Sequence, residues 1–208
     1  NDTNGKYSVP VLWDKKEKVI VNNESSEIIQ MFNSSFNKIA EHPELDLYPE
    51  HLRSEIDEIN SFIYDNFNNG VYKCGFATTQ EAYEKAIVGV YNALDKAEEI
   101  LSKSRYLVGN RFTLADIRFF VTLVRFDEVY VVYFKTNKKR ICDYSNLLNY
   151  TRDLYQKAGI TETVNMYHIK THYFTSHPTL NHYAIVPVGP DVISSLKEKH
   201  NRDSLGPA

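Results

Sequence analysis

The residues with the most legible chemistry lie near the start of the chain. Val9-Pro10-Val11-Leu12-Trp13-Asp14 reads as a strand entered through an X-Pro bond, and Val19-Ile20-Val21 as a second strand across the charged turn Lys15-Lys16-Glu17-Lys18. Asn22-Asn23-Glu24-Ser25-Ser26-Glu27 then opens a helix with carboxylates and hydroxyls. The first turn of a helix has N–H groups without intrahelical partners and carries the positive end of the helix dipole, so it seats an anion. A proline at the head of a strand donates nothing to a ladder and is often cis where a strand edge must stay open. Together these features fit a small acidic, peptide-like molecule. The same residues have a plainer use, since Asn23 or Ser25 could simply cap the helix.

These side chains need elements to hold them. Ile28, Ile29, Met31 and Phe32 share one face of the helix that follows Glu24. Two strands and one helix do not form a stable sheet alone, so residues 1–33 are expected to be completed by another segment. Residues 34–49, polar and containing Pro43 and Pro49, read as a linker. From there the pattern turns helical. Leu52, Ile56, Ile59, Ile63 and Tyr64 keep helical spacing through Glu50–Phe67, with Gly70 as a stop. Val71 to Ala77 reads as an irregular aromatic loop. Thr78 or Thr79 caps a long helix with Ala86, Val90, Ala93, Leu94, Ala97 and Leu101 inward. Thr113 and Asp116 form a capping-box pair for a helix from Leu114 to about Tyr130, apolar on nearly every side and therefore buried. A helix from about Tyr144 to Lys157 and a shorter one capped by Thr161 follow. The helical domain spans residues 50–180, with a tail over 181–208.

Composition narrows the function. A net charge of -3 over 208 residues offers no basic face for nucleic acid or anionic lipid. No apolar run approaches the roughly 20 residues of a membrane helix. The two cysteines, Cys74 and Cys142, fit a reducing, cytoplasmic setting rather than a disulfide framework, and no metal-ligand spacing occurs, so no metal is expected. Cys74 is expected as a small apolar filler, while Cys142 precedes a helix cap, where a lowered pKa is conceivable but unsupported. The 15 tyrosines and 11 phenylalanines stand out, and the tyrosines point to helix packing plus a pocket or interface with wet edges.

A small strand-and-helix piece, a linker and an all-helical domain with a capped, buried central helix is the layout of glutathione transferases. Tyr106-Leu107-Val108-Gly109-Asn110 through Thr113 and Asp116 is similar to the capping segment of that superfamily. Val9-Pro10-Val11-Leu12-Trp13-Asp14, Asn23-Glu24-Ser25, Asn69-Gly70-Val71-Tyr72-Lys73 with Gly75-Phe76-Ala77, Leu123-Val124-Arg125-Phe126-Asp127 and Ser176-His177-Pro178-Thr179 resemble the glutathionyl-hydroquinone reductases, the xi-class glutathione transferases. The resemblance runs through essentially the whole chain.

The resemblance implies a glutathione-transferase-like fold: a partial thioredoxin-fold (β-β-α) piece, then the all-α C-terminal domain. It implies that the Val9 backbone pairs with the cysteinyl part of glutathione, that Glu24 faces its ammonium, and that Ser25 with the helix N–H groups faces its carboxylate. A zwitterion needs one anion and one set of donors side by side, and these residues supply both. It further implies reduction of glutathionyl-hydroquinones, with Tyr72 and Tyr173 as phenolic donors to the departing hydroquinone, glutathione as co-substrate and a homodimer. His172 and His177 are expected to hold the C-terminal segment in place. The family's nucleophile lies in a Cys-Pro-Trp-Ala motif that neither Cys74 nor Cys142 matches. The chain is therefore expected to be a C-terminal portion that binds part of glutathione and turns nothing over. An omega-like glutathione thioltransferase or dehydroascorbate reductase, and a non-catalytic scaffold of the same fold, are the alternatives.

Overall fold

A computed structural model describes residues 9–206; residues 1–8 and 207–208, part of the expected N-terminal piece and tail, lie outside them. The chain divides into two compact units, one ending at Arg53 and one beginning at Ser54.

The first unit contains the expected β-β-α piece. Strands β1 (Leu12–Asp14) and β2 (Val19–Asn22) pair antiparallel, with Trp13 opposite Ile20 and an irregularity between Leu12 and Trp13. Asp14 Oδ1 accepts from the N–H groups of Lys16 (2.7 Å) and Glu17 (2.9 Å), which closes the hairpin turn. Helix α1 (Ser25–Ser34) follows directly. The linker is tied back to this helix. Asn33 at its last turn donates to Asp46 Oδ1 (2.9 Å) and accepts from Leu47 N–H (2.7 Å).

The second unit is helical. Helix α2 (Arg53–Ile63) passes through a π turn at Tyr64–Asn68 into α3 (Gly70–Gly75), and α4 (Gln80–Leu101) packs along the π turn and α3. This corrects two expectations. Val71–Ala77 is not an irregular loop, because most of it is α3, and Gly70 opens that helix rather than stopping the previous one. Gly70 is instead needed for close approach: a Cβ there would lie 3.0 Å from Val90 Cγ2 on α4. Thr79 caps α4, its hydroxyl accepting from Ala82 N–H at 3.2 Å. Thr79→Ala is expected to cost about 1 kcal/mol, read as a lower midpoint in denaturant unfolding at unchanged slope.

Helix α5 (Leu114–Arg125) is the central helix, with Phe119, Phe120, Leu123 and Val124 buried, although Val121 reaches the surface. It does not run smoothly to Tyr130: a π turn at Phe126–Tyr130 intervenes before the short α6 (Val131–Tyr133). Within this turn the Asp127 carboxylate faces inward and accepts the N–H groups of Ile141 (2.7 Å) and Cys142 (3.1 Å). Helix α7 (Ser145–Tyr155) packs on α4 and α5. Helix α8 (Met166–Ser176) is capped by Asn165, accepting from His168 N–H at 3.0 Å, and not by Thr161, which opens a separate 3-10 turn.

Residues 181–206 are more structured than the word tail implies. Helix α9 (Val192–Leu196) lies against α7, where Arg152 Nε donates to Ser195 O (2.9 Å) and Gln156 to Leu196 O (2.8 Å). Further on, Arg202 is buried and donates to the carbonyls of Ser104 and Arg105, while Arg105 reaches Asp153 in a two-pronged pair and the Gly206 carbonyl. Among the described residues no helix is long and apolar enough to cross a membrane.

Candidate active site

Each unit carries one group of the residues singled out from sequence. In the first, the Val9-Pro10 peptide is cis and Val9 is 91% exposed, outside the paired part of β1. Helix α1 is capped by Glu24 itself, in place of the expected Asn23 or Ser25. Glu24 Oε1 accepts from Ser26 N–H (3.1 Å) and from the Ser26 hydroxyl (3.0 Å), while Ser25 is the first helical residue. Asn22 supports the arrangement from the end of β2, accepting the Glu24 N–H at 2.6 Å and donating to Glu27. A carboxylate, two serine hydroxyls and the first N–H groups of a helix thus occupy three consecutive positions, 24 to 26. That set can hold both ends of an amino-acid zwitterion.

In the second unit, the structure brings Tyr72 and Tyr173 together across 101 residues of sequence. Their hydroxyls are hydrogen-bonded to each other, and the Tyr173 hydroxyl also bonds that of Tyr130 at 2.7 Å. Both candidates sit on helices, Tyr72 on α3, where an irregular loop was expected, and Tyr173 in the last turn of α8. The cluster is built by close packing. A Cβ at Gly75 would lie 2.0 Å from Phe134 Cδ1, so only glycine lets α3 press onto that ring. Phe134 stacks on Tyr130 (centroids 5.4 Å apart, planes 13° apart), and Tyr173 meets Tyr130 edge-on at 5.4 Å and 88°. Phe76 continues the aromatic surface to His177 at 5.3 Å.

The environment keeps the two buried phenols, Tyr130 and Tyr173, protonated. Burial, and then the neighbouring Tyr72 oxygen, raises the Tyr173 pKa above its ordinary value, and burial raises that of Tyr130 well above it. At neutral pH Tyr130 and Tyr173 are hydrogen-bonding phenols rather than phenolates. Tyr72 is 39% exposed and Tyr173 only 7%, so Tyr72 presents the cluster to solvent.

The remaining candidates have other uses. His177 Nδ1 lies 3.3 Å from the Tyr133 hydroxyl and from the Tyr173 carbonyl, at the end of α8, which suits the expected holding role. His172 Nδ1 approaches the Ser176 hydroxyl on the same helix. Neither cysteine is an activated thiol. Burial raises Cys74 to about 11, and burial with the carboxylates of Asp127 and Asp143 raises Cys142 to about 11, opposite to the lowering once conceivable for it. Tyr130 and Phe134 were not singled out from sequence. Their signal was the run Tyr130-Val131-Val132-Tyr133-Phe134, whose aromatics recur at helical spacing and read equally well as core.

Comparison with known proteins finds relatives for most of the chain. Residues 80–153 match the family model of the glutathione S-transferase C-terminal domain. The chain is 54% identical over 199 residues to glutathionyl-hydroquinone reductase YqjG of Escherichia coli strain K12, covering 96% of this chain and 60% of that protein. It is 51% identical over 186 residues to glutathionyl-hydroquinone reductase PcpF of Sphingobium chlorophenolicum, covering 89% of this chain and 59% of that protein. The chain thus spans about three fifths of the length of these curated relatives. Among solved structures, the glutathione-bound YqjG superposes with a TM-score of 0.89 at 53% identity, covering 96% of this chain and 64% of that one. A xi-class glutathione transferase from Natrialba magadii superposes at 0.92 with 49% identity, covering 95% and 60%.

Proposed function

The chain belongs to the glutathione transferase family, in its xi-class branch, and we propose that the protein reduces glutathionyl-hydroquinones to hydroquinones with glutathione as co-substrate. The observation that carries the reading is the Tyr72–Tyr173–Tyr130 cluster, a set of hydrogen-bonded phenols reaching solvent through one of them. It accompanies a helix N-terminus on the first unit that bears Glu24 and Ser25.

In this reading a cysteine thiolate attacks the sulfur of the glutathionyl group. The carbon–sulfur bond to the ring breaks, its electron pair goes to the ring carbon, and a disulfide forms between enzyme and glutathione. The ring carbon takes a proton from a phenol and leaves as hydroquinone. A second glutathione thiolate then attacks the mixed disulfide, releasing glutathione disulfide and restoring the enzyme thiolate. Cys74 and Cys142, with their thiols held protonated, do not suit the nucleophile's part, so the reading assigns it to a cysteine other than these two. Val9, Glu24 and Ser25 serve glutathione: backbone pairing at Val9, the ammonium at Glu24, and the carboxylate at Ser25 with the helix N–H groups. Tyr72 and Tyr173 serve the hydroquinone. The domain limits follow the same reading, with residues 1–33 as the later part of a thioredoxin-like glutathione-binding domain, 34–49 as linker and 50–180 as the helical domain. A homodimer in the cytoplasm completes it.

The test is an assay of the full-length protein with a glutathionyl-hydroquinone and glutathione, following both products by chromatography. Hydroquinone and glutathione disulfide are expected in equal amounts. Turnover of dehydroascorbate or small mixed disulfides, with no cleavage of the thioether, would replace this reading by the omega-like one.

A further inference from the structure

We infer that Tyr130 is a positioning residue for the phenolic acid: its buried hydroxyl fixes the direction of the three-tyrosine hydrogen-bond chain, so that Tyr72 is left with its proton pointing outward. The inference rests on the function proposed above and adds a residue and a polarity to it.

The direction follows from counting donors and acceptors. A phenol has one O–H to give and lone pairs to receive with. Tyr130 is 2% exposed, and among the described residues its hydroxyl has a single hydrogen-bond partner, the Tyr173 hydroxyl at 2.7 Å. Were Tyr173 the donor in that bond, the Tyr130 proton would be buried without an acceptor, and an orphaned buried donor costs more than an unfilled lone pair. Tyr130 therefore donates to Tyr173. The Tyr173 oxygen has then accepted, and its proton goes to its other partner, the Tyr72 oxygen. Tyr72 accepts at its oxygen and keeps its own proton for the exposed side of the cluster.

The polarity has a chemical use. When Tyr72 gives its proton to the departing ring carbon, charge develops on the Tyr72 oxygen, and Tyr173 already donates to that atom. Tyr173 is in turn polarised by Tyr130, and a chain of hydrogen bonds strengthens each member. Tyr130 does not itself lose its proton, because burial disfavours its phenolate most strongly. Tyr72, being partly exposed, is reloaded from water. The guanidinium of Arg125 at the end of α5 favours negative charge on Tyr130 and Tyr173. The Tyr130 ring is held by Phe134 and Tyr173, so removing the hydroxyl alone leaves the packing in place.

The test is a double-mutant cycle in the full-length protein on hydroquinone release. Tyr130→Phe is expected to lower kcat by about 10-fold with KM changed less than about twofold, since the group acts on developing charge. Added to Tyr72→Phe, it is expected to lower the rate no further, because Tyr130 acts only through the chain. Thermal midpoints of all variants keep the assay within the folded range. An unchanged kcat in Tyr130→Phe, or a double variant slower than Tyr72→Phe by the full single-variant factor, overturns the inference. Full activity in Tyr72→Phe instead removes the proposed acid role itself, which separates the two failures.

Discussion

Replacing both Tyr72 and Tyr173 by phenylalanine in the full-length protein is expected, under the function proposed above, to slow hydroquinone release by about 10²–10⁴-fold, the usual worth of a positioned general acid. Each substitution removes one hydroxyl from a packed aromatic cluster and leaves its ring. Phe134 meets both Tyr72 (5.2 Å) and Tyr173 (6.0 Å), so the double variant keeps its shape. What it loses is the proton for the ring carbon and the donor that steadies the charge left behind. The resolving half of the cycle has no such requirement, because its leaving group is a thiolate. Exchange of a small mixed disulfide with glutathione should therefore run at close to the parent rate in the same variant. Equal losses in both assays would mean damaged folding, and a full rate in the thioether assay would show that no phenol acts as the acid.

The largest expected effect on stability comes from Asp116. Its carboxylate is fully buried at the start of α5 and accepts from four donors: the N–H groups of Leu107 (3.0 Å) and Thr113 (2.9 Å), the Thr113 hydroxyl (3.2 Å) and the Tyr150 hydroxyl (2.7 Å). It is thereby a cap, a clamp on the preceding loop and an anchor for α7. Asp116→Ala strands several buried donors at once and is expected to cost about 3–4 kcal/mol in chemical denaturation, near the upper end for one substitution. Burial outweighs those hydrogen bonds in setting its pKa, raised from 3.8 to about 6. The folded protein therefore holds a proton between those values that the unfolded chain has released. The contribution of this group is fully present below about pH 4 and is lost as pH rises through 6. Relative to Asp116→Asn, the parent should lose on the order of 2–3 kcal/mol between pH 4 and 7. A difference that is flat across that range, or grows toward neutral pH, would exclude a raised carboxyl.

What could be read from the sequence divides by distance along the chain. The capping box was legible because Thr113 and Asp116 are three residues apart and their geometry is fixed by the helix itself. The hairpin, the entry into α1 and the inward face of α4 were legible for the same local reason. Helix α3 was not. Its six residues include two glycines, a composition that argues against a helix, and its support comes from α4 and Phe134 rather than from its own propensity. The roles of Tyr72 and Tyr173 came from resemblance alone, since spacing cannot pair residues 101 positions apart. Tyr130 escaped because its place in a buried run was accounted for by packing, and a hydroxyl's partner across 43 residues leaves no mark on periodicity.

The clasp made by Arg105, Asp153 and Arg202 has a consequence for how the helical unit comes into being. Arg105 is buried beside Asp153, and its guanidinium also reaches the Gly206 carbonyl and Asp203; Arg202 closes over the Ser104 and Arg105 carbonyls. A nascent chain that has emerged only as far as α8 already holds Arg105 and Asp153 but not the groups that seal them from water. For that interval the ion pair is wet and weak. Residues 202–206 convert it into a dry, geometrically fixed one, so a stretch far along the chain locks an assembly made earlier.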